Sequence, residues 1–346
     1  MPEQVKWGVI GSGGIARRRT IPEGIAAAPN ACLAAVFDVD AEANRAVAAQ
    51  FGAAAVGSVA DLLNADVDAV YIATPAHAHY EQVLAAARAG KHVFCEKPLG
   101  MTVAEAENMV EAARQAGVLF GCAFMMRFHS QHRAAKKLIE EGRLGKPVYG
   151  RAQLSCWYPP MPGAWRQDPA TGGGGSLIDM GGHCIDLLEM FFGPARRVSC
   201  FTRNTVQGYK SEDSAVALLE FESGALGTVD AFFCITDEGS KNVLELHGSM
   251  GSILAEGTIG QGAKGKMTAI LKEGAVGYNA RQARDASGGI DISPEPVNMY
   301  RAEIEAFGQA VLERREPAVG AEAGVRSQKV LTACYESART AHAVEV

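Results

Sequence analysis

The chain has 346 residues, of which 48% are apolar and 21% charged, and its formal net charge is −6. That length exceeds one ordinary core and suits two domains, while the apolar share argues against disorder. Acidic and basic residues are interspersed, so there is no basic stripe to neutralise a phosphate backbone and nucleic acid is not an expected partner.

The eight cysteines, at 32, 95, 122, 156, 184, 200, 234 and 334, form no CxxC pair, which argues against a disulfide framework or a zinc site. The N-terminus has no basic flank, long apolar run or cleavage site of a signal peptide. Arg17, Arg18 and Arg19 follow a glycine turn inside a folded unit and only superficially resemble a twin-arginine signal. No apolar run approaches a membrane span. The expected location is the cytoplasm, with no membrane partner.

Taken in order, residues 5–10 read as a strand, followed by a glycine turn and a helical stretch to about residue 28. Strands are expected at 31–37, 67–73, 92–95 and 118–124, with helices at 41–51, 77–89 and 102–116 between them. Thr102 and Glu105 are placed as a capping box for the last of these helices. Continuously apolar strands separated by helices indicate a parallel sheet covered on both faces.

The pattern then changes. A helix is expected at 131–141, a long strand at 148–157, a proline- and glycine-rich loop at 159–175 and a helix at 176–191. Strands follow at 198–203, 214–221, 225–233, 243–247 and 252–255, resembling one mostly antiparallel sheet. The stretch 258–298 looks loop-rich, and helices at 300–312 and 321–341 finish the chain. The expected fold is α/β: a Rossmann domain over 1–124, then an α/β domain over 125–346 with a large, open, mostly antiparallel sheet.

Gly11-Ser12-Gly13-Gly14-Ile15-Ala16 lies between the first strand and the first helix and fits G-x-G-x-x-G/A. Gly11 permits the tight turn, Gly13 lets the backbone approach a pyrophosphate, and Ala16 is small enough for close packing. The helix start supplies free N–H groups. Asp38 ends the second strand, where a carboxylate accepts from ribose hydroxyls and repels a 2′-phosphate. The expected cofactor is NAD, with NADP still possible.

Strand ends of a parallel sheet meet ligands. Two of them carry polar groups here: Thr74-Pro75 with His77 and His79, and Glu96-Lys97-Pro98. Thr74, Pro75, His79, Glu96 and Lys97 are therefore expected around the cofactor. A lysine at such a strand end is well placed to touch a substrate oxygen. Further on, Asp179, His183 and Asp186 stand at helical spacings of four and three, which puts them on one helix face. An imidazole exchanges protons near neutral pH, and a carboxylate one turn away can orient it. A metal held by Asp179 and His183 has no third matched ligand, so none is expected.

The segment 89–98, with its Glu-Lys-Pro, and the segment 174–187, Gly-Gly-Ser-Leu-Ile-Asp-Met-Gly-Gly-His-Cys-Ile-Asp-Leu, resemble the glucose–fructose oxidoreductase / inositol dehydrogenase (Gfo/Idh/MocA) family. The resemblance extends through Arg127, 138–147 and 172–193. It implies an NAD(P)-dependent sugar or cyclitol dehydrogenase or ketoreductase. In that picture His183 is the general base, Lys97 polarises the substrate oxygen, and Asp179 holds substrate and imidazole, with Asp186 structural. It also implies that Trp165 and Arg166 reach the cofactor, that Arg127, Tyr158 and Tyr300 line the substrate, and that the protein forms a homodimer or homotetramer through the open sheet face. Two departures, Ala76 after Thr-Pro and Ala123 near the last strand end, bear on the substrate rather than on hydride chemistry. His129 and His132 read as exposed helix residues, with His129 close enough to Arg127 to border the pocket. Two alternatives stay open: a glycosidase-like enzyme that uses NAD transiently, and a non-catalytic NAD-binding sensor.

Overall fold

The computed structural model describes residues 3–272, 274, 278, 280 and 288–346. The chain divides into two compact units. The first contains Met1–Met125, Asp168–Gly173 and Asn298–Lys329; the second contains Met126–Gln167, Gly174–Val297 and Val330–Val346. The chain thus returns twice to the first unit, which a single boundary at 124/125 does not show.

The first unit's sheet is built from β1 (Val5–Ile10), β2 (Ala31–Phe37), β3 (Ala54–Ala55), β4 (Ala69–Ile72), β5 (His92–Cys95) and β6 (Phe120–Cys122). Its order is β3-β2-β1-β4-β5-β6, and every pairing is parallel. This is the doubly wound arrangement, whose crevice lies where the order reverses beside β1. The helix Val103–Ala116 has the expected capping box: Glu105 N–H donates to Thr102 Oγ1 at 3.1 Å, and Met101 N–H donates to Glu105 Oε2 at 2.7 Å. The first helix, Ala16–Ile25, is wound more widely than an α-helix, carries Pro22 inside it, and ends before the expected residue 28.

The segment Asn298–Lys329 belongs with this unit because of its apolar face. Phe307, on the helix Met299–Glu313, stands 4.9 Å from Phe94 and 5.7 Å from Trp7 between ring centroids. All three rings are nearly inaccessible, so the helix completes the core beneath β1 and β5.

In the second unit, the described strands are β7 (Pro147–Ser155), β8 (Ala195–Arg203), β9 (Ser214–Phe221), β10 (Leu226–Phe232), β11 (Val243–Gly248), β12 (Gly251–Glu256), β13 (Lys266–Leu271), β14 (Ile290–Asp291) and β15 (Val344–Glu345). Their order is β14-β13-β12-β11-β7-β10-β9-β8-β15. The β7–β10 pairing at the centre is parallel and the rest are antiparallel. In β9, Ala215, Ala217, Leu219 and Phe221 are buried while Val216 and Leu218 are exposed, the period of two expected of a sheet covered on one side. The cover includes the apolar helix Gly182–Phe192, whose Leu188 and Phe192 press onto Gly150 of β7. Within the stretch expected to be loop-rich, β13 and β14 are found; its residues 273, 275–277, 279 and 281–287 lie outside the described residues.

Candidate active site

The first unit presents a cradle shaped for a dinucleotide. Gly11 has φ +84°, and a Cβ there would lie 2.8 Å from the backbone of Ala73 and Thr74, so only glycine fits. Asp38 Oδ2 accepts from Gly13 N–H at 2.8 Å and Oδ1 from Asp40 N–H at 3.0 Å, which fixes the carboxylate beside the turn. Gly14 has φ +47° and open space around its Cα, Ile15 is partly exposed, and Ala16 is buried. Ser12 is buried and donates to Asn44 Oδ1 at 3.2 Å, while Asn44 Nδ2 donates to Val56 O at 3.1 Å. Asn44 is a supporting residue that sequence reasoning missed; its signal is an amide on the inward face of the 41–51 helix. A bare glycine turn, an anchored strand-end carboxylate and a helix start together fit a pyrophosphate and an adenosine ribose.

The two polar strand ends are tied to each other. His79, expected at the cofactor, is 1% exposed, and its ring nitrogens lie 2.9 Å from Pro98 O and 2.8 Å from Thr74 O. It is a brace joining the loop after β4 to the loop after β5. Thr74 Oγ1 donates to Gln82 Oε1 at 2.7 Å, and Pro75 lies next to it, before the short turn Ala76–Ala78. Glu96 accepts from the Tyr71 hydroxyl, which lies 3.0 Å from Thr20 Oγ1, so its carboxylate joins an internal polar cluster. Lys97 follows at the strand end and is partly exposed.

Tyr300, expected to touch substrate, is 3% exposed within the first unit. Burial, with the Glu96 and Glu303 carboxyls nearby, pushes its hydroxyl up. Glu303 is itself 1% exposed, and burial beside Glu96 pushes its carboxyl well above the usual range. Tyr300 thus packs next to a buried acid.

In the second unit, His183 and Asp179 sit where the helix changes its winding. Leu177–Gly181 is a π turn and Gly182–Phe192 an α-helix, so the single regular face read from the spacing is interrupted between them. His183 is 9% exposed. Arg166 Nε lies 3.0 Å from Asp179 Oδ2, and its guanidinium stacks 4.1 Å from the Trp165 ring centroid. The ion pair ties the end of the 159–167 loop to the run that carries Asp179 and His183, and the cation–π contact stacks the two neighbouring loop side chains. Tyr158 packs on Phe233 with ring centroids 4.8 Å apart. Burial, with Asp179 nearby, pushes the Cys156 thiol up to about 12, so it stays protonated and is no nucleophile at neutral pH.

Arg127 is turned to a carboxylate. Its Nε donates to both oxygens of Asp186 at 2.9 Å and its Nη2 to Oδ1 at 2.6 Å. Asp186 is 2% exposed, and burial holds its carboxyl above its ordinary value despite Arg127. Removing one partner of such a buried pair costs about 3–5 kcal/mol, which marks it as a structural brace for the helix. Arg127, expected at the substrate, therefore directs these donors inward.

His129 and His132 are buried, not exposed as their helix pattern suggests. His129 Nδ1 caps the helix Ser130–Glu140 by accepting from Gln131 N–H at 3.2 Å, and His132 Nδ1 lies 2.9 Å from Met126 O. Burial lowers His129 to about 4 and His132 to about 3. An unfolded histidine titrates near 6.5, so the unfolded chain takes up protons first as the pH falls. Stability should thus be complete above about pH 6.5 and fall below it by roughly 1.4 kcal/mol per pH unit for each histidine. Urea midpoints at pH 7, 6 and 5 test this. The His132→Gln protein should lose less over that range, and a wild-type midpoint that is level from pH 7 to 5 contradicts it.

Among the described residues, no three His, Cys, Asp or Glu side chains come together to hold a metal, and no helix is long and apolar enough to cross a membrane.

Comparison with known proteins agrees with this geometry. The family model "Oxidoreductase family, NAD-binding Rossmann fold" matches residues 5–124, and "GFO/IDH/MocA C-terminal domain" matches residues 132–254. The chain is 34% identical to a 1,5-anhydro-D-fructose reductase of Ensifer adhaerens, across 99% of this chain and 98% of that protein. It is 32% identical to a D-xylose 1-dehydrogenase (NADP(+)) 2 of Haloferax volcanii, across 98% and 99%. Among solved structures, the aldose-aldose oxidoreductase of Caulobacter crescentus complexed with glycerol superposes with a TM-score of 0.87 at 26% identity, covering 99% of this chain and all of the other. The chain therefore belongs to the Gfo/Idh/MocA family and is an NAD(P)-dependent oxidoreductase.

Proposed function

We propose that the protein interconverts a secondary hydroxyl and a ketone on a sugar, cyclitol or sugar derivative, with Lys97, His183 and Asp179 at the reacting centre. The observation that carries this reading is the His183 helix: a nearly buried imidazole on the same element as a carboxylate paired with Arg166 at 3.0 Å. The likeness to an anhydrofructose reductase over nearly the whole chain supports the substrate class. The bound nicotinamide supplies or accepts the hydride. In the oxidising direction, His183 takes the hydroxyl proton, Lys97 donates a hydrogen bond to the same oxygen as charge develops, and Asp179 holds substrate and imidazole in register. In reduction His183 returns the proton to the ketone oxygen.

The test is a cofactor-absorbance screen of NAD, NADP and their reduced forms against 1,5-anhydro-D-fructose, D-xylose, other hexoses and inositols. Net cofactor turnover with at least one free sugar or cyclitol is expected. Cleavage of glycosides without net turnover would favour the glycosidase-like alternative, and tight NAD binding with no turnover of any kind would favour a sensor.

The reading assigns NAD as the preferred cofactor, because the anchored Asp38 carboxylate opposes a 2′-phosphate. A repulsion of about 1.4–2.8 kcal/mol weakens NADP by roughly 10–100-fold. Fluorescence titrations at fixed salt should show that gap, and Asp38→Ser should narrow it. Equal or tighter NADP binding by the wild-type protein contradicts it.

The same reading makes the protein a homodimer or homotetramer that works in the cytoplasm. The uncovered face of the large sheet exposes Phe201 at 66%, Leu218 at 56% and Leu226 at 56%, a patch suited to a second copy.

A further inference from the structure

We propose that Glu212 is a positioning residue: it fixes the first turn of the helix that carries Asp179 and His183, and so sets the proton-transfer geometry. This rests on the function proposed above. Glu212 lies on the loop before β9, 33 residues after Asp179 and 29 after His183, and neither glycine nor carboxylate spacing in the sequence connects them.

The contacts are dense and specific. Gly175 N–H donates to Glu212 Oε1 at 2.9 Å and Oε2 at 3.0 Å, and Leu177 N–H donates to Oε1 at 3.0 Å. Between them, Ser176 N–H donates to the Glu212 backbone carbonyl at 3.1 Å. One residue thus takes three successive amides at the start of the helical run from Leu177 to Phe192, where N–H groups have no partner within a helix. A carboxylate there also meets the positive end of the helix dipole.

Tyr335, on the helix Ala321–Thr340, donates its hydroxyl to Glu212 Oε1 at 2.9 Å and holds the carboxylate from the other side. The glycine run answers to the same pair. A Cβ on Gly174 would lie 1.9 Å from the Tyr335 hydroxyl, and one on Gly175 would lie 2.0 Å from the Glu212 carbonyl oxygen. The backbone therefore reaches Glu212 only because these positions lack side chains. Asp179 N–H donates to Gly175 O at 3.1 Å, so the clamped residue also begins the hydrogen-bond ladder leading to Asp179 and, one turn on, His183. Of the carboxylates in the second unit, Asp186 braces the helix from its far side through Arg127, whereas Glu212 sets its origin.

The experiment compares Glu212→Ala, Glu212→Gln and Tyr335→Phe with wild type. Each is assayed on the best-turned-over sugar of the screen above and titrated with NADH by fluorescence. Glu212→Ala should lower kcat per folded molecule by about 10–100-fold, the scale of an ångström-sized displacement of a reacting group. Glu212→Gln, which keeps one acceptor oxygen, should fall between it and wild type, and Tyr335→Phe should lose about 2–5-fold. The NADH dissociation constant should stay within about twofold in all three, and the basic or acidic limb of the kcat/KM profile should move. A residue that only adds stability would leave kcat per folded molecule and the pH profile unchanged. If Glu212→Ala does not fold, the Gln and Phe variants decide. Wild-type kcat, KM and pH profile in those two overturn the proposal. A His183→Asn control separates the two levels: if it turns over normally, the functional reading itself fails, whereas a crippled control beside unaffected Glu212 and Tyr335 variants refutes positioning alone.

Discussion

Replacing His183 with Asn should lower kcat by roughly 10²–10⁴-fold, the usual cost of losing a general acid–base group. The reason is chemical and local. His183 is 9% exposed and stands just after the π turn that holds Asp179, so no bulk water replaces it efficiently as proton acceptor. Asn keeps a polar side chain of similar reach but cannot take a proton. The loss should therefore appear in kcat, while the NADH dissociation constant, set by the glycine cradle of the first unit, stays nearly unchanged. Steady-state assays from pH 6 to 9 with parallel fluorescence titrations check this. Near wild-type turnover across that range would remove His183 from the mechanism.

The second large effect is expected at Lys97. Lys97→Ala should reduce kcat/KM by about 10²–10³-fold, the scale of losing one donor aimed at a developing oxyanion. The fold should survive. The loop after β5 keeps its tie through His79 to the carbonyls of Pro98 and Thr74, and Lys97 itself is partly exposed. Lys97→Arg should restore only part of the rate, because a broad planar fork does not replace a compact ammonium in a confined site. Thermal unfolding distinguishes the cases. A variant with an unchanged midpoint and lost activity agrees with the proposed role, and full activity in Lys97→Ala contradicts it.

Some of this architecture was legible from local chemistry. The Thr102–Glu105 capping box depends on residues close in sequence and appears with its expected hydrogen bond, whereas Asp38, expected to face ribose hydroxyls, also accepts from Gly13 N–H, 25 positions away. The partner of Asp186, Arg127, lies 59 positions away, a distance no spacing rule covers. His129 and His132 show the opposite case. Residues 130–133 are all polar, which suggests a solvated face, yet His132 packs against Phe191 with ring centroids 6.4 Å apart and lies against His129 at 4.7 Å. The winding of 177–181 was also hidden, because a π turn and an α turn differ by less than one residue and side-chain spacing does not separate them. The return of Asn298–Lys329 to the first unit follows from Phe307 meeting Trp7 and Phe94, contacts between residues hundreds of positions apart.

The central claim is that one substrate oxygen is shared by Lys97 and His183. A crystal structure of the protein with NADH and a turned-over sugar or its inert analogue tests it most directly. The account predicts Lys97 Nζ and a His183 ring nitrogen both within about 2.6–3.2 Å of that oxygen, with its carbon facing C4 of the nicotinamide. A productive complex in which Lys97 points into solvent, or in which His183 is remote from the reacting oxygen, would contradict it.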